Sequence, residues 1–296
     1  MAFYIMTDVA ADLPKTYADK WENFHIIPMN YQIDGEERLY ECGDEKNIHE
    51  FYERLRNGSL STTSQIMLET YLQTFGPLLK NGDEILYVCF SSGLSGTYET
   101  SLMAQKMLSE EISTGKLVIV DSLCASVGEG LLVHYALECR KQGMNIDQVA
   151  EWVVNHRQNL VHWFTVTDLF FLKRGGRVSA ASAALGSMLK IKPVMDVNFE
   201  GKLIAEYKVQ GRKKSLKELV DQTVKAADPK IGPQTIFIGH GDCEEDARYV
   251  LEKLKEEGLP IKEAMITPIG TIIGSHSGPG TLALFSYGKG RYTSKD

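Results

Sequence analysis

Hydrophobic positions along this 296-residue chain alternate between two textures. Short apolar runs rich in strand formers recur at Ala2–Thr7, His25–Ile33, Ile85–Phe90 and Leu117–Asp121, and each predicts a strand. Pro28 marks the second of these as an edge strand or a strand end. Between them lie stretches with helical spacing. Asn47–Arg56 sets Ile48, Phe51, Tyr52 and Leu55 on one stripe and stops at Asn57-Gly58. Ile66–Leu79, the segment from Tyr98, Ser126–Gln142 and Asn145–His156 also read as helices, and Asp12-Leu13-Pro14 opens a shorter one. This alternation predicts a mostly parallel sheet flanked by helices. Ligands of such sheets bind beyond the C-terminal ends of the strands, where Asp8, Ser91 to Thr97 and Asp121-Ser122 fall.

The second half reads differently. Trp163–Leu172 is an aromatic, strand-like run leading into Lys173-Arg174-Gly175-Gly176-Arg177, and Val178–Leu189 is a helix rich in alanine and serine. Ile191–Val197 and Leu203–Val209 flank Asn198-Phe199-Glu200-Gly201 as a hairpin. Then follow a helix at Lys213–Ala227, a strand at Thr235–Gly239, a helix at Cys243–Glu257 and a strand at Glu263–Thr267. A glycine-rich turn region over Ile269–Gly280 and a strand over Thr281–Tyr287 close the chain. The pattern predicts a second α/β domain with an antiparallel or mixed sheet. The boundary falls near Asn155 to Val161, giving domains 1–158 and 159–296.

Composition narrows the function class. A net charge of −7 argues against a nucleic-acid binder, which normally carries a basic face. Five scattered cysteines without a Cys-x-x-Cys pair fit small core residues in a reducing compartment. With no signal-peptide pattern and no apolar run near the roughly 20 residues a membrane span needs, the expected location is the cytoplasm. Seven histidines show no metal-ligand spacing, so no metal site is expected. Arg212-Lys213-Lys214 is a short basic cluster, read either as a solvated helix start or as part of a docking surface.

Ser91-Ser92-Gly93-Leu94-Ser95-Gly96-Thr97 joins a predicted strand to a predicted helix, a place where free backbone N–H groups and the helix dipole favour an anion. It lacks the lysine of a P-loop, so the expected anion is a carboxylate or a single phosphate. Ser61-Thr62-Thr63-Ser64-Gln65 reads as a second hydroxyl-rich helix N-terminus. Both turns also suit plain helix caps, and the residues alone leave that open. Gly93-Leu94-Ser95-Gly96 misses the Gly-x-Ser-x-Gly elbow by one position, which leaves a hydrolase or acyltransferase using Ser95 and His276 as a competing reading. A binder of a small phosphorylated metabolite is another.

Taken together, Thr7-Asp8, Asp12-Leu13-Pro14, Thr63-Ser64-Gln65, Ser91 to Tyr98, Leu172 to Arg177 and Ile269-Gly270 through His276 to Gly280 resemble, in order and over the whole chain, the DegV family of bacterial fatty-acid-binding proteins. Val9-Ala10-Ala11 departs from the small hydroxyl residues usual in the family's first loop. The resemblance implies two domains with one long-chain fatty acid held between them. It implies that Thr63 and Ser95 bind the carboxylate, with Ser92 and Gly96 close by, and that Ser64, Arg177 and His276 form the supporting polar network. It also implies that the protein is not itself an enzyme and needs no cofactor. It would present its lipid to a separate fatty acid kinase, which forms the acyl phosphate.

Overall fold

The computed structural model describes residues 1–178 and 191–291, with residues 45 and 46 described by their backbone alone. The expected helix Val178–Leu189 lies, except for its first residue, outside the described residues. The first half forms a four-stranded parallel sheet from β1 (Phe3–Asp8), β2 (Phe24–Ile27), β6 (Glu84–Cys89) and β7 (Lys116–Asp121), in the order β2-β1-β6-β7. Its chain reverses direction across the sheet between β1 and β6, the switch point where a crevice opens beyond the strand ends. Asp8, the last residue of β1, ties that crevice together by accepting hydrogen bonds from Tyr87 Oη (2.9 Å) and the Phe90 N–H (3.1 Å).

The predicted strand His25–Ile33 is two strands. Pro28 has no N–H to continue the ladder, and the chain leaves β2 at the sheet edge to start β3 (Met29–Ile33) in another sheet. That sheet, β4-β3-β5, is antiparallel and uses β4 (Glu36–Tyr40) and β5 (Ser61–Thr63). It has no counterpart in the expected fold. Ser61 to Gln65 is consequently not a helix N-terminus: the following helix, α3 (Leu68–Lys80), starts after Met67 with no side-chain cap.

The helices of this half are α1 (Lys15–Ala18), α2 (Ile48–Arg56), α3, α4 (Thr97–Glu111), α5 (Val127–Lys141) and α6 (Ile146–His156). A 3-10 turn, Arg157–Asn159, leads into β8 (Leu160–Thr165). β8 ends earlier than the aromatic run predicted. Asp168 accepts from the Phe170 N–H at 2.8 Å and opens a short helix, α7 (Phe170–Arg174).

The second half forms a six-stranded mixed sheet in the order β10-β9-β8-β13-β11-β12. Its further strands are β9 (Ile191–Val197), β10 (Leu203–Gln210), β11 (Gln234–His240), β12 (Ile261–Pro268) and β13 (Leu282–Tyr287). Helices α8 (Arg212–Ala226) and α9 (Glu244–Glu256) pack on it. The predicted glycine-rich turn region is largely a helix, α10 (Thr271–Ser277). α5 is buried along most of its length, and one apolar cluster runs from Ile5 and Leu86 through Leu131 and Leu132 to Phe164, Met195 and Phe285, joining the faces of both large sheets. Among the described residues no helix is long and apolar enough to cross a membrane.

Candidate functional site

The turn after β6 is divided between two tasks. Ser91 and Gly93 seat the tip of the β9–β10 hairpin. Ser91 Oγ donates to the Gly201 carbonyl at 2.9 Å, and a Cβ on Gly93 would come within 2.5 Å of the Glu200 carbonyl oxygen. Ser92 donates its backbone N–H to Asp121 Oδ1 at 3.2 Å. Ser95 is the hydroxyl that reaches the cavity described below. Its Oγ also lies 2.9 Å from Thr97 Oγ1 and accepts from the Thr97 N–H at 3.3 Å, so it steadies the start of α4. Gly96 caps α4, and a Cβ there would come within 2.2 Å of Oε1 of Gln65, so the end of that side chain would have to move.

Thr63 ends β5, and α10 brings His276 onto it: Thr63 Oγ1 and His276 Nε2 are 2.7 Å apart. Three contacts hold α10 in this place. Ser61 Oγ meets Ser275 Oγ at 2.7 Å, Arg174 reaches the carbonyls of both Ser61 and Ser275 at 3.3 Å, and Tyr52 Oη donates to the Ile269 carbonyl at 2.9 Å. At the helix start, Asp12 Oδ1 accepts from the Gly270 N–H at 2.8 Å while its Oδ2 accepts from Ser126 Oγ at 2.6 Å. The first loop, α5 and α10 therefore meet on one carboxyl group, whose titration burial raises to about 7. Ser64 lies outside this arrangement: it is exposed, and its N–H donates to the Asn30 carbonyl.

Burial and the nearby Arg177 and Arg174 lower the His276 pKa to about 4, so the imidazole is neutral at pH 7. Its Nδ1 is buried with no hydrogen-bond partner. Placing the ring proton on Nε2 avoids burying an unmade N–H donor there. Nε2 then donates to Thr63 and frees the threonine proton to point elsewhere. Arg177 Nε donates to the Leu94 carbonyl at 3.1 Å and Nη1 to the Gly175 carbonyl. Burial lowers its pKa, and among the described residues no carboxylate pairs with it. A half-buried guanidinium with no carboxylate partner among the described residues is suited to receive an anion.

Thr63, Ser95, Arg177 and His276 open onto one cavity, walled mostly by apolar residues such as Phe90, Leu172, Val197, Leu203 and Phe285, with Ser126, Ser277 and Thr281 as further hydroxyls. The empty space is about 760 Å³ including the open mouth. Among the described lining residues none is acidic. Ser92, Gly96 and Ser64 do not line the cavity. Sequence reasoning missed Arg174, the Leu94 carbonyl and Gln65. The last had a readable signal, since a glycine opposite a long polar side chain marks close approach.

The Ser95–His276 pair of the hydrolase reading does not form. His276 bonds Thr63 and Ser95 bonds Thr97. An imidazole titrating near 4 is also a weak base. Among the described residues one group has metal-ligand chemistry, His49, Glu53 and Asp242, and none of the three lines the cavity. Arg56 donates to both of its carboxylates and occupies the place of a cation.

Comparison with known proteins places these features in context. A family model described as an uncharacterised protein of the DegV family matches residues 2–289. A DegV domain-containing protein of Clostridium perfringens is 43% identical over 288 residues, covering 97% of each chain. Among solved structures, a Thermus thermophilus DegV family protein described by its fatty acid binding superposes with a TM-score of 0.86 at 27% identity, covering 97% of this chain and 100% of the other. DegV of Bacillus subtilis, described as a fatty acid binding protein, gives 0.84 at 27% identity, covering 98% and 100%.

Proposed function

The chain belongs to the DegV family, and from that premise we propose that it binds one long-chain fatty acid, burying the tail in the cavity between its two halves (1–158 and 159–296) and holding the carboxylate at Thr63, Ser95 and Arg177. One observation carries this reading. The cavity is mostly apolar along its walls and brings a half-buried arginine together with the hydroxyls of Thr63 and Ser95, with no acidic residue among its described lining residues. A ligand with a single negative head and a hydrocarbon body completes it. Each methylene buried contributes roughly 0.8 kcal/mol, so a tail of about fifteen supplies most of the affinity while the head group sets orientation. His276 positions the Thr63 hydroxyl. Ser92 and Gly96 act through the backbone and packing around the site, and Ser64 only through its backbone bond to Asn30 on β3.

The protein presents this lipid to a separate fatty acid kinase and performs no chemistry on it, acting in the cytoplasm without a cofactor. Of the basic cluster, Arg212 is held by Asp246 at 2.8 Å, which leaves Lys213 and Lys214 exposed at the start of α8 as the docking charges. Cations in a first helical turn oppose the helix dipole, so a partner's acidic surface would relieve them. Extraction of the purified protein followed by mass spectrometry should return near-stoichiometric fatty acid, and Thr63→Val should bind it about tenfold more weakly. A lipid-free protein that takes up no fatty acid on titration would refute the reading. Crosslinking to the kinase should fall when Lys213 and Lys214 are both changed to Glu; unchanged crosslinking would remove the docking assignment.

A further inference from the structure

The hydroxyls that line the cavity are not all spent. Among the described residues there are five. Thr63 meets His276, Ser95 meets Thr97, and Ser126 donates to Asp12 at 2.6 Å. Thr281 Oγ1 lies 2.9 Å from the Ser277 carbonyl and 2.8 Å from that of Gly278. The fifth, Ser277, is 6% exposed, and its Oγ has no hydrogen-bond partner. A helical serine commonly turns back to the carbonyl four residues earlier. Ser275 in the same helix does so, donating to the Thr271 carbonyl at 2.6 Å, and Ser277 does not. Its place also sets it apart from the carboxylate site. Ser275 and His276 reach Ser61 and Thr63 on β5. Each residue of a helix turns the side chain by about 100°, so Ser277 stands about 200° round from Ser275. That is the flank turned away from β5, beside Ile273, which lines the cavity as well. Thr281 immediately precedes β13, whose Ala283 and Phe285 continue the apolar wall on the same face.

We propose that Ser277 and Thr281 form a second polar station in the cavity and select fatty acids that carry a hydroxyl on the hydrocarbon chain. This rests on the fatty-acid reading above. Ser277 Oγ has its proton unused, whereas the Thr281 proton is committed to a backbone carbonyl and leaves that oxygen as an acceptor. One donor beside one acceptor is the complement of a hydroxyl, which has both. A second carboxylate would find a single donor here and the lone pairs of Thr281 facing its charge. A plain methylene chain leaves Ser277 buried and unmet, while a chain hydroxyl in a purely apolar slot loses its bonds to water without replacement. Brought together, each supplies what the other lacks.

The test is a titration of stearic acid, and of C18 acids bearing one hydroxyl at successive positions, into delipidated wild type and Ser277→Ala. The Ser277 hydroxyl bonds nothing in the folded protein, so Ser277→Ala should melt no lower than wild type and bind stearate within about twofold. For one narrow range of hydroxyl positions, affinity relative to stearate should be about tenfold better in wild type than in Ser277→Ala. A keto group at the favoured position accepts but cannot donate, so it should keep the bond to Ser277, lose the one to Thr281 and gain only about threefold. Equal gains for the keto and hydroxy acids would strike Thr281 from the pair. Relative affinities that match between wild type and Ser277→Ala at every position would overturn the proposal while leaving stearate binding intact. Failure of stearate to bind either protein would sink the fatty-acid reading beneath it.

Discussion

The two glycines that precede Arg177 do different things, and two alanine substitutions separate them. Gly175 has helical backbone angles (φ −72°), so alanine is conformationally acceptable there, but its Cβ would land on His276 Nδ1 and stand 3.1 Å from Cε1. Real Cβ atoms essentially never come within 3.0 Å of another heavy atom, so the ring must move by about 1 Å. Nδ1 and Nε2 lie on opposite flanks of the imidazole, and pushing one drives the other against Thr63, already at 2.7 Å. The ring must turn and the Thr63 bond is lost. One neutral hydrogen bond is worth about 1 kcal/mol, so Gly175→Ala should weaken fatty acid binding five- to tenfold. Gly176 is the reverse case. Its φ is +73° and nothing lies within 4 Å of its Cβ position, so Gly176→Ala meets backbone strain of about 1–2 kcal/mol and no neighbour. That variant should melt a few degrees lower and bind fatty acid within about twofold of wild type. Calorimetric titration of delipidated proteins reads the affinities, and differential scanning calorimetry the melting. A folded Gly175→Ala protein with unchanged affinity would refute the claim that the Thr63–His276 pair holds the head group.

Ser95→Ala should lower fatty acid affinity by about fivefold, while stability falls by no more than about 1 kcal/mol, because its bond to the Thr97 N–H is long at 3.3 Å; a change in stability without a change in affinity would make Ser95 a helix cap only. Asp12 titrates at about 7 in the fold against an ordinary 3.8, so its contribution is complete below about pH 4 and is lost as pH rises through 7. Wild type should therefore lose on the order of 2 kcal/mol relative to Asp12→Asn between pH 5 and pH 7, measured by urea unfolding, and a flat difference would contradict the burial of that carboxyl. His276 has the opposite sign: the unfolded ring takes its proton near 6.5 and the folded one near 4, so His276 removes stability as pH falls across that window. His276→Asn should accordingly gain on wild type as pH drops from 6.5 toward 4, and equal slopes would place the ring in water.

Three strands of the parallel sheet, β1, β6 and β7, were legible because each is a short apolar run bounded by turns, whereas β2 ran on into β3 without a visible break in the apolar pattern. What escaped was decided by distant contacts. Thr271–Ser277 lies between glycines like a loop, holds Gly274, and has too few residues to form a helix alone; it is a helix because Asp12, Tyr52, Ser61 and Arg174 hold it from four other segments. Ser61–Thr63 has the hydroxyls of a helix cap but spends its backbone on β3, and this puts Thr63 opposite His276 instead of at the head of α3. The Trp163–Leu172 run was apolar enough to hide the stop at Asp168, although an aspartate two residues ahead of a run is itself a helix-start signal.

The same reasoning explains why Ser91 to Thr97 looked like one anion cradle and is two things. Its small residues serve close approach in both halves: Gly93 to the hairpin tip, Gly96 to Gln65. Small residues in a strand-to-helix turn thus report crowding, and only the partner's identity says whether the crowding is structural or chemical. For Ser95 the deciding neighbour is Arg177, which reaches the Leu94 carbonyl from the far half of the chain. No local pattern encodes that meeting. In a protein of net charge −7, a half-buried arginine that shares a cavity with the hydroxyls of Thr63 and Ser95, with no acid among the described lining residues, is suited to an anionic ligand that would supply the counter-charge.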